Sequence, residues 1–326
     1  MQINPEWPWN APNAGKFSVE GAYRPVKLKA IGVVCRRSIL YNPRANRLEV
    51  PVPELPEVET IVRNLRPALV GRKCVRVNVG PLPLRQRWSR SWNANIVGRR
   101  IREVRRRGKW IVITLDDDHY LVIHLGMTGQ LSVVLRKHPL ADHTHLTVDL
   151  DGGSRQLRFR DVRRFGSASL FAASAHLDRF FDRAGLGPEP FDLDANYWRE
   201  RLSRTKRFLK AVLLDQRVLA GVGNIYADES LFEARLHPGR RGQDIRPIEA
   251  EGLRRAIVKV LRRAIDRKGS TIRDYLDGAG RKGGYQEEFR VYGRAGQPCR
   301  RCGTPIRQVR MAGRSTHFCP SCQSRR

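Results

Sequence analysis

Four cysteines near the carboxyl end carry the spacing of a metal site. Cys299-x2-Cys302 and Cys319-x2-Cys322 are separated by sixteen residues. Each Cys-x2-Cys turn presents two thiolates to one tetrahedral ion, and four thiolates close its shell. The expected ion is a single structural zinc, holding a small ββ hairpin whose tip falls near Met311-Ala312-Gly313-Arg314. A second stretch, Gly221-Val222-Gly223-Asn224-Ile225, lies between two helical patterns. Its glycines permit tight turning and close backbone approach. Asn224 is placed to cap the following helix, whose free N–H groups could bind a phosphate; on residue chemistry alone, a plain interhelical turn accounts for it as well. A third stretch, Pro53-Glu54-Leu55-Pro56-Glu57-Val58-Glu59-Thr60, gathers three carboxylates and two prolines. Pro56 suits a first helical turn, and Glu57 and Glu59 suit the positive helix start.

The elements that must position these residues follow from periodicity. Val58, Ile61, Val62, Leu65 and Leu69 recur at helical spacing, with Gly71 as the stop. Alternating or apolar runs then predict strands over 74–79, 110–115, 120–125, 130–135, 145–150, 155–160 and 167–171. Many short strands separated by turn residues suggest a β-sandwich or barrel. Gly185-Leu186-Gly187-Pro188-Glu189-Pro190 reads as a linker. Helical spacing follows over 195–202, 208–214, 225–234, 247–265 and 271–276, and a glycine-rich run over 278–284 breaks it. The expected class is α+β. An extension (1–52) precedes a helix plus β-sandwich domain (53–184), a helical domain (191–290) and a zinc finger (291–326).

The charge indicates the partner. Lys plus Arg number 62 against 32 Asp plus Glu, a net charge of +30. Eight basic and three acidic residues fall within 1–52, so residues 53–326 retain +25. Such an excess points to a polyanion. No apolar run approaches the roughly 20 residues of a spanning helix. The basic residues are spread through globular sequence, which favours nucleic acid over a membrane surface. Cys35 and Cys74 stand alone and read as ordinary thiols; nothing suggests a secreted disulfide framework or a signal peptide. A cytoplasmic, nucleoid-associated location is expected.

Pro53–Thr60 resembles the first eight residues of mature formamidopyrimidine-DNA glycosylases, bacterial enzymes that excise oxidised purines from DNA. The resemblance runs from Pro53 to about Cys322, through separate motifs in the family order. It implies that Pro53 is the nucleophile, through the secondary amine of a free amino terminus, and that Glu54 is the acid/base. Lys109, in Gly108-Lys109-Trp110, takes the place of a second essential lysine near the lesion phosphates. Arg314, at the finger tip, takes that of an arginine on the phosphates beside the lesion. The segment around Asn224 is similar to the family's helix–two-turn–helix, whose asparagine holds backbone phosphate, with Lys206 as a DNA-contacting lysine. Met127, Arg163 and Phe165 match residues that enter the duplex and fill the hole left by an extruded base. His143 matches a DNA-contacting histidine. Val162 stands where the family has proline, and Gly283-Gly284-Tyr285 departs from the family's usual wording in the lesion-capping loop, matched here by 278–288. The implied partner is double-stranded DNA containing oxidised bases, bound by a monomer with no cofactor besides zinc.

One feature conflicts with that chemistry. An internal proline nitrogen is a tertiary amide with its lone pair in resonance, and it cannot attack a sugar carbon. Residues 1–52 are therefore expected to be absent from the working protein. Val52 directly precedes Pro53, and valine is how a GTG start codon would be translated if read as internal. Three alternatives stand beside this reading. The first is a non-catalytic DNA-binding relative, favoured if the extension is retained; the second is an endonuclease VIII-like glycosylase for oxidised pyrimidines. The third is an RNA-binding zinc-ribbon protein, which only the charge supports.

Overall fold

Pro56 sits in the first turn of α1 (Leu55–Leu69), where its missing N–H costs no hydrogen bond. The helix buries Val58, Ile61, Val62, Leu65 and Leu69, the stripe expected from the sequence. The computed structural model describes residues 52–270 and 283–325. The extension up to residue 51 with Cys35, the helix expected at 271–276 and most of the glycine run at 278–284 lie outside the described residues.

Eight antiparallel strands follow: β1 (Cys74–Val79), β2 (Ile101–Arg107), β3 (Trp110–Leu115), β4 (His119–His124), β5 (Gly129–Leu135), β6 (Thr144–Leu150), β7 (Arg155–Asp161) and β8 (Ser167–Ala172). They form two four-stranded sheets, ordered β1-β6-β7-β5 and β2-β3-β4-β8. Each sheet has open edges, so the architecture is a sandwich and not a closed barrel. Phe159, Leu146 and Leu157 from one sheet meet Ile111, Ile113 and Ile123 from the other, and the α1 stripe joins that core. α2 (Ser91–Ile96) and α3 (Ser174–Arg183) flank the sandwich. Leu177, Phe180 and Phe181 of α3 cover Val112 and Val122 on the outer face of β3 and β4.

Three elements were not expected from the sequence. β2 carries four arginines and buries only Ile101 and Val104 fully, so it lacks strand alternation. α2 buries only Ile96. α3 has an apolar stripe but no side-chain cap at its start, where Ala173 adopts a positive φ of 89°.

The second core is helical. α4 (Ala195–Ser203), α5 (Leu209–Leu214), α6 (Asn224–Glu233) and α7 (Pro247–Asp266) close around Trp198, Leu213, Tyr226 and Leu261. Leu55 from the start of α1 inserts into this core, which ties the front of the chain to the helices. β9 (Arg307–Met311) and β10 (Arg314–Phe318) form the last hairpin, and β10 packs on α6. Its two-residue turn, Ala312 at φ 49° and Gly313 at φ 72°, is of the left-handed kind that matches strand twist. Among the described residues, no helix is long and apolar enough to cross a membrane.

Candidate active site

The site begins where α1 meets α6. Glu54, 2% exposed, sends its carboxylate into the amino terminus of α6. It accepts hydrogen bonds from the N–H groups of Gly223 (2.8 Å), Ile225 (3.0 Å) and Tyr226 (3.4 Å). This corrects two expectations. Gly223, not Asn224, is the N-cap of α6, and having no side chain it leaves that end to be capped from elsewhere. The N–H groups expected to await a phosphate hold the chain's own carboxylate instead. The glycines make the approach possible. A Cβ on Gly223 would lie 2.4 Å from the Glu54 carboxyl carbon, and one on Gly221, at φ 84°, would lie 2.7 Å from the Leu55 side chain. The Gly221 carbonyl also accepts the Leu55 N–H at 3.1 Å.

Electrostatics then set the Glu54 proton. Burial pushes its carboxyl up to about 7; Lys109 pulls it down, and Glu57 adds to the rise. Glu57 is also buried and raised by desolvation. It accepts from the Glu54 N–H, the Tyr226 hydroxyl (2.6 Å), and the Ser270 N–H and hydroxyl. Pro53 is buried immediately beside this pair.

Lys109 occupies a two-residue turn between β2 and β3, in which Gly108 takes φ 57°. Glu189, from the expected linker, clamps that turn: it accepts from the Gly108 N–H (2.6 Å) and from Arg106 (2.7 Å). Arg106 in turn reaches Glu59 of the opening motif at 3.2 Å. Burial holds the Lys109 ammonium below its ordinary pKa, Glu54 and Glu57 raise it, and the charge of Arg314 lowers it further. Glu54, Lys109 and Arg314 therefore share one field, although 260 positions separate the first and last. His124, at the end of β4, packs against Trp110 in a tilted contact with ring centroids 4.7 Å apart. Burial, then Lys109 and Arg85, hold its imidazole down to about 4, so it stays neutral.

Asn224 is half-buried and donates to the Ser315 hydroxyl at 3.3 Å, next to exposed Arg314. Sequence reasoning missed what fixes this junction. Asp228 pairs with the fully buried Lys210 at 2.6 Å and accepts the His317 N–H at 2.8 Å. Lys210 also donates to the Asn224 carbonyl. Glu229 accepts the N–H groups of Arg290, Val291 and Tyr292. Two consecutive carboxylates of α6 thus anchor the finger. Acidic pairs inside an otherwise apolar helix were the available signal. Lys206 is exposed in the turn between α4 and α5.

A second group gathers at the ends of β4 to β7. Met127 is half-buried, Phe165 is 44% exposed, and the Arg163 guanidinium lies 4.8 Å from the Phe165 ring centroid. Their loops touch backbone to backbone, since a Cβ on Gly126 would lie 2.5 Å from the Phe165 carbonyl carbon. His143 is exposed at φ 63° on the neighbouring loop.

The four cysteine sulfurs lie within 4.8 Å of one another. Three of their separations are 4.0, 3.5 and 3.4 Å, close to the ~3.8 Å edge of a tetrahedron with metal–sulfur bonds of about 2.3 Å. The Arg301 and Cys322 N–H groups donate to the sulfurs of Cys299 and Cys319, as suits thiolates. Four thiolates in this geometry hold one structural zinc, with no open position for substrate.

Comparison with known proteins agrees with this arrangement. Residues 52–168 match the formamidopyrimidine-DNA glycosylase N-terminal domain, 186–275 the formamidopyrimidine-DNA glycosylase H2TH domain, and 296–325 the zinc finger found in FPG and IleRS. A formamidopyrimidine-DNA glycosylase of Desulforamulus reducens is 45% identical over 278 residues, covering 83% of this chain and 99% of its own. The structure of Lactococcus lactis Fpg with abasic-site DNA is 35% identical, with a TM-score of 0.77 over 83% of this chain and 99% of that one. A MutM complex with carbocyclic 8-oxo-G DNA is 36% identical, also at 0.77, over 83% and 100%.

Proposed function

The chain belongs to the formamidopyrimidine-DNA glycosylase family of base-excision glycosylases with abasic-site lyase activity, and we propose that its substrates are oxidised purines, 8-oxoguanine opposite cytosine and ring-opened formamidopyrimidines. The observation that carries the reading is the Glu54 carboxyl, buried beside Pro53 and holding its proton up to about pH 7. A general acid poised near the working pH can both give and take a proton.

Pro53 acts as a free amino terminus, a secondary amine that titrates around pH 8 and so is partly neutral at pH 7. The family match beginning at residue 52 supports that start. Its nitrogen bonds to C1′ of the extruded nucleotide as the C1′–N9 bond breaks and the base departs. The departing N9 takes up the proton that the amine loses, Glu54 delivers one to O4′, and the sugar ring opens to an iminium at C1′. That cation is the electron sink for loss of the C2′ proton and the 3′ phosphate, then of the C4′ proton and the 5′ phosphate. Lys109 and Arg314 stabilise charge at the phosphates. Asn224, Lys206 and His143 hold the backbone, and Met127, Arg163 and Phe165 fill the vacated space in the duplex. The net charge of +25 that residues 53–326 carry supports nucleoid-associated action in the cytoplasm.

The test is borohydride trapping of the iminium on an 8-oxoguanine duplex, with a thymine-glycol duplex as the pyrimidine arm. Two proteins are compared, residues 1–326 and residues 53–326 with Pro53 free. Covalent complex with the short protein on the purine duplex, and almost none with the unprocessed long one, is expected. Equal trapping by unprocessed 1–326 would make another amine the nucleophile. Tight DNA binding with no trapping by either protein would leave a non-catalytic relative.

A further inference from the structure

One buried carboxylate joins the loops of the duplex-facing group. Asp161, the last residue of β7, is fully buried. Its Oδ1 accepts the Thr128 hydroxyl, and that same hydroxyl accepts the Arg163 N–H at 3.0 Å. Its Oδ2 accepts the Gly166 N–H at 2.7 Å, directly after Phe165. Its own N–H donates to the His143 carbonyl at 2.9 Å. One side chain and one amide thus reach the Met127 loop, the Arg163–Phe165 loop and the His143 loop.

We propose that Asp161 is a positioning residue that couples these loops, so that Met127, Arg163 and Phe165 enter the duplex as a single unit. The inference rests on the reading above that these side chains fill the space left by the base. A loop carrying an apolar wedge loses most of its force if it yields when pushed against stacked bases. Both oxygens of a buried carboxylate, each accepting from a different loop, make the two loops one rigid body. Alanine offers no acceptor, so both loops let go, whereas asparagine retains both links, its Nδ2 donating to the Thr128 hydroxyl and its Oδ1 accepting the Gly166 N–H.

The experiment is a double-mutant cycle on single-turnover excision of 8-oxoguanine, using Phe165→Ala, Asp161→Ala and the pair. Losing both of these buried hydrogen bonds, felt in the extrusion step, should slow excision by about ten-fold or more. Cleavage of a preformed abasic site, which needs no base expelled, should change by less than about three-fold. The double variant should be no slower than the slower single one, and 2-aminopurine beside the lesion should report the same loss of wedge insertion for each. Thr128→Val should reproduce the defect and Thr128→Ser should restore it, which keeps the test open if Asp161→Ala folds poorly. Additive rate losses, or parallel falls on lesion and abasic duplex, overturn the coupling while leaving the wedge assignment intact. Normal excision by Phe165→Ala overturns the wedge assignment itself, and the coupling with it.

Discussion

In the 326-residue chain, replacing Glu54 by glutamine should stabilise the protein at pH 8 relative to pH 4.5. Burial holds the Glu54 carboxyl at about 7 against an ordinary 4.5. The folded state therefore keeps a proton that the unfolded chain has released. The stability contributed by this group is complete below about pH 4.5 and is lost as pH rises through about 7. At roughly 1.36 kcal/mol per unit, the window is worth about 3 kcal/mol. Glutamine has the shape of the protonated acid and does not ionise, so it escapes that loss. Urea unfolding of both proteins at pH 4.5, 6, 7 and 8 should show the variant gaining steadily on the wild type across the window. A flat difference refutes the reasoning. An opposite slope would mean that the Gly223, Ile225 and Tyr226 N–H groups, at the positive end of α6, outweigh desolvation. The same series on residues 53–326 adds a second check. Two unit charges about 4 Å apart attract by ~4 kcal/mol at an effective dielectric constant of about 20, so a terminal Pro53 ammonium should largely cancel the tilt.

Metal analysis should find one zinc per chain, and Cys302→Ser should lower zinc content, thermal stability and DNA affinity together, because the thiolate shell organises the finger that carries Arg314. Normal cleavage by zinc-free protein would contradict this. Gly223→Ala places a Cβ 2.4 Å from the Glu54 carboxyl carbon; excision should fall by about ten-fold or more with zinc content unchanged, measured in single turnover. Asn224→Ala and Lys206→Ala should weaken damaged and undamaged duplex about equally by fluorescence anisotropy, since phosphates carry no lesion information. A loss confined to the damaged duplex would assign these residues to the lesion.

Much of the molecule could be read from local pattern. The stripe from Val58 to Leu69, the alternating strands, the helical spacing of α4 to α7 and the paired Cys-x2-Cys turns each announce themselves within a short window. The chemistry is local there too: period reports burial, and ligand spacing reports a tetrahedral ion. The basic excess identified a polyanionic partner for the same reason, since it depends on composition alone. β2 escaped because its arginines are neutralised from elsewhere, Arg106 by Glu59 and Glu189. The role of the Gly221–Asn224 turn was legible only in part. Its glycines announced a close approach, but not that the visitor would be Glu54, 169 residues away. The clamp of Glu189 on the Lys109 turn, the grip of Asp228 and Glu229 on the finger, and the junction at Asp161 belong to the same class. Each is a buried carboxylate meeting donors from separate segments, and no period along the chain records such a meeting. Sequence determined the elements and the metal site, because those depend on neighbours. Tertiary structure decided where the Glu54 proton resides, because desolvation and the field of Lys109 exist only once distant segments close over the same carboxyl.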